Sequence, residues 1–330
     1  MRTWLRKLWS SPALGWRILR ITVFGYLALL ATLMIFEEKL IYHPSPASGP
    51  PPAIRPETEV EGEIVPEIED VFFPAADGVR LHGWYCSPIR KLAGAFVPVS
   101  VPVPVPGPSH VKDSHDPPPS PDSPPRPSGL PVLIWFHGNA LSVDNRYDMI
   151  RMLIAIPVEI FIIDYRGFGR SEGSPSEEGL YRDADGAWDW LTKTRGIPPG
   201  RIVIFGKSLG GGPAVDLAAR VEAAGLIVQS CFTSMPDMAG EIYPFVPRFL
   251  VRTQFDSIGK IGRVKCPKLH IHGTADEIIP YRLGRRLFDA APEPKAFYEV
   301  PGAGHNNVYL DGGEAYLERL REFVRGCVEK

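Results

Sequence analysis

Residues 201–216 read RIVIFGKSLGGGPAVD. A short Val/Ile-rich run ends in Gly206-Lys207-Ser208-Leu209-Gly210 and passes at once into a small-residue segment, GGGPAVDLAAR. The apolar run predicts a buried strand and the segment that follows a helix, over 212–222. A serine held on so sharp a turn needs glycine on both sides, because the backbone is strained there and neighbouring elements come close. The helix behind it directs free N–H groups and the positive end of its dipole at any negative charge developing on the serine's partner. That combination points to Ser208 as a nucleophile.

The same pentapeptide pattern occurs a second time, as Gly169-Arg170-Ser171-Glu172-Gly173. It follows the loop residues YRGF instead of a strand, and it runs into Ser174-Pro175, which cannot open a helix carrying the serine in its first turn. Context therefore selects Ser208.

Working outward, IEDVFFP (68–74) and VRLHGWYC (79–86) predict an N-terminal hairpin turning at Asp77-Gly78. The runs at 131–137, 158–165, 201–206, 224–230, 267–273 and 295–302 are rich in Val and Ile, and helical patterns separate them at 178–194, 212–222, 281–290 and 313–328. This alternation predicts an α/β fold with a mostly parallel, eight-stranded sheet flanked by helices.

A serine hydroxyl needs a base. Of the eight histidines, His43 lies beside an N-terminal apolar run, His110 and His115 in a Pro-rich stretch, and His82 on the hairpin side of the sheet. His270 and His272 belong to a strand and read as core or rim residues. His137 closes the third strand at a turn with another role. His305, in Gly302-Ala303-Gly304-His305-Asn306 just after the last strand, remains as the base. The orienting acid is expected after the strand that follows the nucleophile unit, and Asp276 in HGTADE (272–277) stands there with Glu277 as its neighbouring rival. The chain order is then Ser, Asp, His. The two N–H donors of an oxyanion hole are assigned to Leu209 and, in the turn HGNA (137–140), to Asn139, with Ala140 in reserve.

Ile21 to Phe36 carries no charge and is preceded by Arg2, Arg6, Lys7, Arg17 and Arg20. Residues 1–17 read as a basic cytoplasmic segment and 18–36 as a transmembrane anchor, which leaves the catalytic domain on the non-cytoplasmic side, periplasmic or lumenal. A cleaved signal peptide is the alternative. Residues 37–66 read as a linker, 67–330 as the catalytic domain, 88–130 as a Pro-rich disordered insertion and 232–266 as a short apolar lid offering Met235, Tyr243 and Phe245 to a substrate. With 36 Lys+Arg against 38 Asp+Glu there is no electrostatic case for a nucleic-acid partner. The four cysteines lack zinc-ligand spacing and are expected as buried free thiols, one disulfide remaining open if the domain is exported. No metal or organic cofactor is implied, and the expected partners are a bilayer and a small-molecule or lipid ester.

The ordered set FEEKLIYHPS (36–45), HGNA (137–140), DYRGFGRSEGSPSEEG (164–179), GKSLGG (206–211), FTSM (232–235), HGTADEIIP (272–280) and GAGHNN (302–307) resembles the α/β-hydrolase superfamily, and within it the membrane-anchored abhydrolase-domain and bud-emergence-related branch, which is serine aminopeptidase (S33)-like. The resemblance implies Ser208, Asp276 and His305 as triad and an activity such as monoacylglycerol or lysophospholipid hydrolysis or thioester depalmitoylation. The Pro-rich insertion and Cys231 before FTSM depart from that pattern. A peptidase or amidase using the same triad is the nearest rival. A non-catalytic, membrane-tethered interaction protein is the rival from another class.

Overall fold

The computed structural model describes residues 12–46, 49–52, 62–92, 95–99 and 129–329. One nine-stranded sheet organises them. Its strands are β1 (Ile64–Pro74), β2 (Arg80–Leu92), β3 (Ala95–Pro98), β4 (Val132–Phe136), β5 (Glu159–Asp164), β6 (Ile202–Lys207), β7 (Gly225–Gln229), β8 (Lys268–Gly273) and β9 (Lys295–Val300). The order across the sheet is β1-β2-β5-β4-β6-β7-β8-β9, with β3 beside β2. From β5 to β9 all pairings are parallel, while β2 runs antiparallel to both β1 and β5.

The central strands β4 to β7 are apolar runs because helices cover both of their faces. Val132–Phe136 is buried at every position. One face packs Phe136, Ile163 and Ile204 beneath the helix Gly211–Ala218, and the other packs Trp135, Phe205 and Ile227 beneath the C-terminal helix Val308–Val328. The parallel strands put their C-terminal ends on one edge, where loops after β4, β6, β8 and β9 meet.

Three expectations need correction. The sheet has a ninth strand, because the stretch expected as a disordered insertion from residue 88 begins as regular structure. β2 continues to Leu92, and Ala95–Pro98 pairs with it beyond the point where β5 stops. Pro98 sits on β3, an outer strand that tolerates a missing N–H. Residues 100–128 lie outside the described residues. The catalytic domain also starts earlier than residue 67, since the lengthened β2 offers partners back to Ile64, which pairs with Arg90.

The expected linker, 37–66, is not a tether over its first ten residues. Glu37–Ile41 forms a helical turn, Ile41 and Tyr42 are buried in the core, and His43 and Pro46 make parallel bridges to Ala140 and Gly169. Two apolar residues were enough to dock it. Residues 53–61 lie outside the described residues. Upstream, the helix Pro12–Ile35 contains a 21-residue stretch, Gly15–Ile35, of mean hydropathy 2.1. It is long and apolar enough to cross a membrane.

Candidate active site

β6 ends at Lys207, and Ser208 takes φ 56°, a conformation that costs a non-glycine residue about 1 kcal/mol or more. Glycines make that turn possible by letting the surroundings close in. A Cβ on Gly206 would stand 2.6 Å from the Cβ of Ala214, and one on Gly210 only 2.0 Å from the Phe136 carbonyl oxygen. The serine is thereby pressed against the ends of β4 and of the following helix, itself buried.

His305 comes from the loop after β9 and Asp276 from the loop after β8. His305 Nδ1 lies 2.9 and 3.0 Å from the two Asp276 oxygens, so Nδ1–H donates and Nε2 is left as acceptor. The Ser208 hydroxyl donates to it at 3.0 Å. Asp276 Oδ1 also accepts from the backbone N–H groups of Ile278 (3.0 Å) and Ile279 (2.8 Å). Burial alone would raise this carboxyl's pKa, but hydrogen bonds from His272 and His305 and from Ile279 hold it well below the usual carboxylate range. Glu277, the rival acid, accepts instead from the backbone N–H of His305 at 3.1 Å and so positions the loop.

Across the serine stands the turn 137–140. A Cβ on Gly138 would be 3.5 Å from that of Ser208, so the turn touches this serine. The turn is tied down from the N-terminal side: Asn139 Nδ2 donates to the Ile41 carbonyl (2.9 Å) and the His43 N–H donates to the Asn139 carbonyl (2.8 Å). His137 is fully buried, and desolvation pushes its pKa down to about 4. A cavity of about 210 Å³ opens at this point, lined by Ser208, Leu209 and Asn139 together with Met235, Tyr243 and Leu250. Among the described residues no three His, Cys, Asp or Glu side chains are grouped to hold a metal ion.

This arrangement was compared with known proteins. Residues 130–261 match the family model described as serine aminopeptidase, S33. An uncharacterized protein of Mycobacterium tuberculosis is 32% identical over 308 residues, 92% of this chain and 94% of its own. α/β hydrolase domain-containing protein 17B of Xenopus laevis is 41% identical over 199 residues, 60% of this chain and 67% of its own. The chain is an α/β-hydrolase. In fold it resembles the Pyrococcus furiosus esterase Pf2001, with a TM-score of 0.59 at 17% identity, over 86% of this chain and 98% of that one.

In this α/β-hydrolase, Ser208, His305 and Asp276 are brought together as the sequence predicts, and Leu209 and Asn139 both border the cavity. Met235 and Tyr243 line it too. Phe245 does not, and its expected place at the substrate is corrected: the ring is 47% exposed, and its carbonyl accepts from the Tyr26 hydroxyl at 2.8 Å. Ser171 is a structural pin. Its hydroxyl donates to the Asp164 carbonyl (2.7 Å) and accepts the His82 N–H (2.8 Å).

Sequence reasoning missed two groups. His272, read as a core or rim residue, donates from Nε2 to the Ile279 carbonyl at 2.9 Å and stands 3.3 Å from Asp276 Oδ2. Its spacing of four residues from Asp276 was the available signal. Leu30, Leu33, Met34 and Glu37 of the N-terminal segment also border the cavity. The spacing of the first three was hidden inside a run apolar on every side.

Proposed function

We propose that the protein is a membrane-anchored serine hydrolase that cleaves carboxylic esters or thioesters of lipophilic acyl groups through an acyl-enzyme. The observation that carries this reading is the 3.0 Å hydrogen bond from Ser208 to His305 at the end of an apolar cavity. Ser208 Oγ attacks the acyl carbon while His305 Nε2 takes its proton, and Asp276 stabilises the imidazolium that forms. The oxyanion is received by the backbone N–H groups of Leu209 and Asn139, each worth about 10²–10³ in kcat in such a site. Collapse expels the alcohol or thiol, which takes the proton from His305. Water, deprotonated in turn by His305, then releases the acid and restores Ser208. These steps require no metal or organic cofactor.

The cavity favours an ester or thioester over a peptide with a free N-terminus. An aminopeptidase needs a carboxylate to receive the substrate's ammonium group. Glu37 borders the cavity, but its oxygens already accept from the backbone N–H groups of Thr253 (2.7 Å) and Arg252 (3.2 Å). In this reading Gly15–Ile35 crosses the bilayer, the Arg/Lys-rich N-terminus stays cytoplasmic and the catalytic domain stands on the far side.

Fluorophosphonate labelling of the full-length protein tests the chemistry. Wild type and Ser171→Ala are expected to label and Ser208→Ala not to. An unlabelled wild type, or labelling that survives Ser208→Ala, sinks the reading. A panel of p-nitrophenyl esters and acyl thioesters against aminoacyl anilides then separates esterase from peptidase, with turnover expected only of the former group.

A further inference from the structure

The N-terminal helix does more than sit beside the domain. Leu30, Leu33 and Met34 lie on one face of it and, with Glu37 of the turn that follows, border the same cavity as Ser208. The rest of the helix surface is exposed, Ile35 on the opposite side being 72% accessible. Four bonds tie the helix and the turn just after it to the lid, three of them at the helix's outer end and one, from Tyr26, further along it. Arg252 donates to the Met34 carbonyl at 2.7 Å, Glu37 accepts the N–H groups of Arg252 and Thr253, and Tyr26 reaches the Phe245 carbonyl.

Depth matters here. Tyr26 precedes Ile35 by nine residues, roughly 13 Å of helix at 1.5 Å per residue, against about 15 Å for half a hydrocarbon core. If Gly15–Ile35 spans the bilayer, the lid tip bonded to Tyr26 lies within the adjoining leaflet. The lid's exposed apolar residues suit that position, with Phe245 47% and Phe249 86% exposed and Ile242, at the cavity, 54% exposed.

We infer that the membrane helix is part of the substrate site: it walls the acyl cavity, and the acyl chain of a bilayer-resident lipid ester slides sideways from the leaflet, between helix and lid, to reach Ser208. The inference rests on the esterase reading and adds to it the route, the substrate's location and the chain-selecting residues. A hydrocarbon chain that never leaves an apolar environment avoids the transfer cost of about 0.8 kcal/mol per methylene exposed to water. Leu30, Leu33 and Met34 then set how much chain the cavity accepts.

Full-length protein in phosphatidylcholine nanodiscs, assayed with p-nitrophenyl acetate and p-nitrophenyl palmitate, tests it. Leu33→Trp and Met34→Trp fill the cavity from the helix side, and the palmitate-to-acetate ratio of kcat/KM is expected to fall about tenfold or more. Ile35→Trp, on the outward face, is expected to leave the ratio unchanged within about twofold. An unaltered ratio in Leu33→Trp and Met34→Trp, or an equal fall in Ile35→Trp, overturns the inference alone. Should the bulky variants fail to fold, Leu33→Ala decides: widening the wall must move the ratio, and a ratio equal to wild type overturns the proposal. A wild type active on neither ester overturns the esterase reading and this inference with it.

Discussion

His272 Nε2 stands 3.3 Å from Asp276 Oδ2, so the carboxylate that orients His305 is flanked by a second imidazole. The same N–H is bonded to the Ile279 carbonyl, whose own N–H donates to Asp276 Oδ1. Asp276 is thus aimed by a closed local network, and a Cβ on Gly284 would stand 2.1 Å from His272 Nδ1. Replacing His272 by Leu is expected to lower kcat about tenfold with KM little changed, because orientation is lost and binding is not. His272→Gln, which keeps a donor for the Ile279 carbonyl, should recover part of the loss. Steady-state kinetics on a short-chain ester check this, and a change in KM alone would contradict it.

The elbow has no room for an added methyl group. Gly210→Ala must push against the Phe136 carbonyl and is expected to cost about 3 kcal/mol or more, at the upper end of overpacking effects. Gly262→Ala meets nothing within 4 Å and should leave stability unchanged. Urea denaturation of the two variants distinguishes a packed turn from a merely flexible one.

Ser171 is predicted to matter for stability and not for labelling. Its hydroxyl joins the Asp164 carbonyl to the His82 N–H, so Ser171→Ala forfeits two hydrogen bonds and is expected to cost roughly 1–3 kcal/mol. A lowered denaturation midpoint with undiminished fluorophosphonate labelling is the expected pair of results.

His82 is fully buried between Asp70 and Asp164, at 2.7 Å from each. Burial would lower its pKa, but the hydrogen bonds its ring N–H groups donate to both carboxylates raise it overall. A group whose folded pKa is raised stabilises the fold fully below its unfolded value, about 6.5, and loses that contribution as pH rises through the folded value. Stability is therefore expected to fall as pH climbs above about 6.5, by a component absent from His82→Gln. Chemical denaturation of both proteins at acid and alkaline pH measures it, and identical pH dependence would contradict the assignment.

Glu37 joins the N-terminal segment to the lid through the backbone of residues 252 and 253. Glu37→Ala leaves those N–H groups without that acceptor, and a loss of roughly 1–3 kcal/mol is expected. On the proposed acyl route, palmitate ester turnover in nanodiscs should fall more than acetate turnover, because Glu37 borders the cavity.

Much of the site was legible because its signals are local. The strand, the glycines and the helix around Ser208 occupy sixteen consecutive residues, and a turn that strained has few sequence solutions. The order Ser208, Asp276, His305 then follows from which strand ends share one edge of a parallel sheet. The strand Ala95–Pro98 was not legible, since prolines dominate its surroundings and its partner is the far end of β2. Phe245 was misplaced because apolar character alone does not say which way a lid side chain turns.

The amino-acid sequence by itself determined the α/β class and the strand–turn–helix at Ser208, and it named Asp276 and His305 as the side chains that the fold brings within hydrogen-bond reach of each other and of Ser208, since periodicity and turn chemistry are carried by neighbouring residues. Only the tertiary structure decided where the apolar helix lies. Tyr26 meets Phe245 across 219 residues and Glu37 meets Thr253 across 216. A run apolar on every side has no period to mark the face that binds, so only its packing against the lid separates Leu30, Leu33 and Met34 from the residues turned outward.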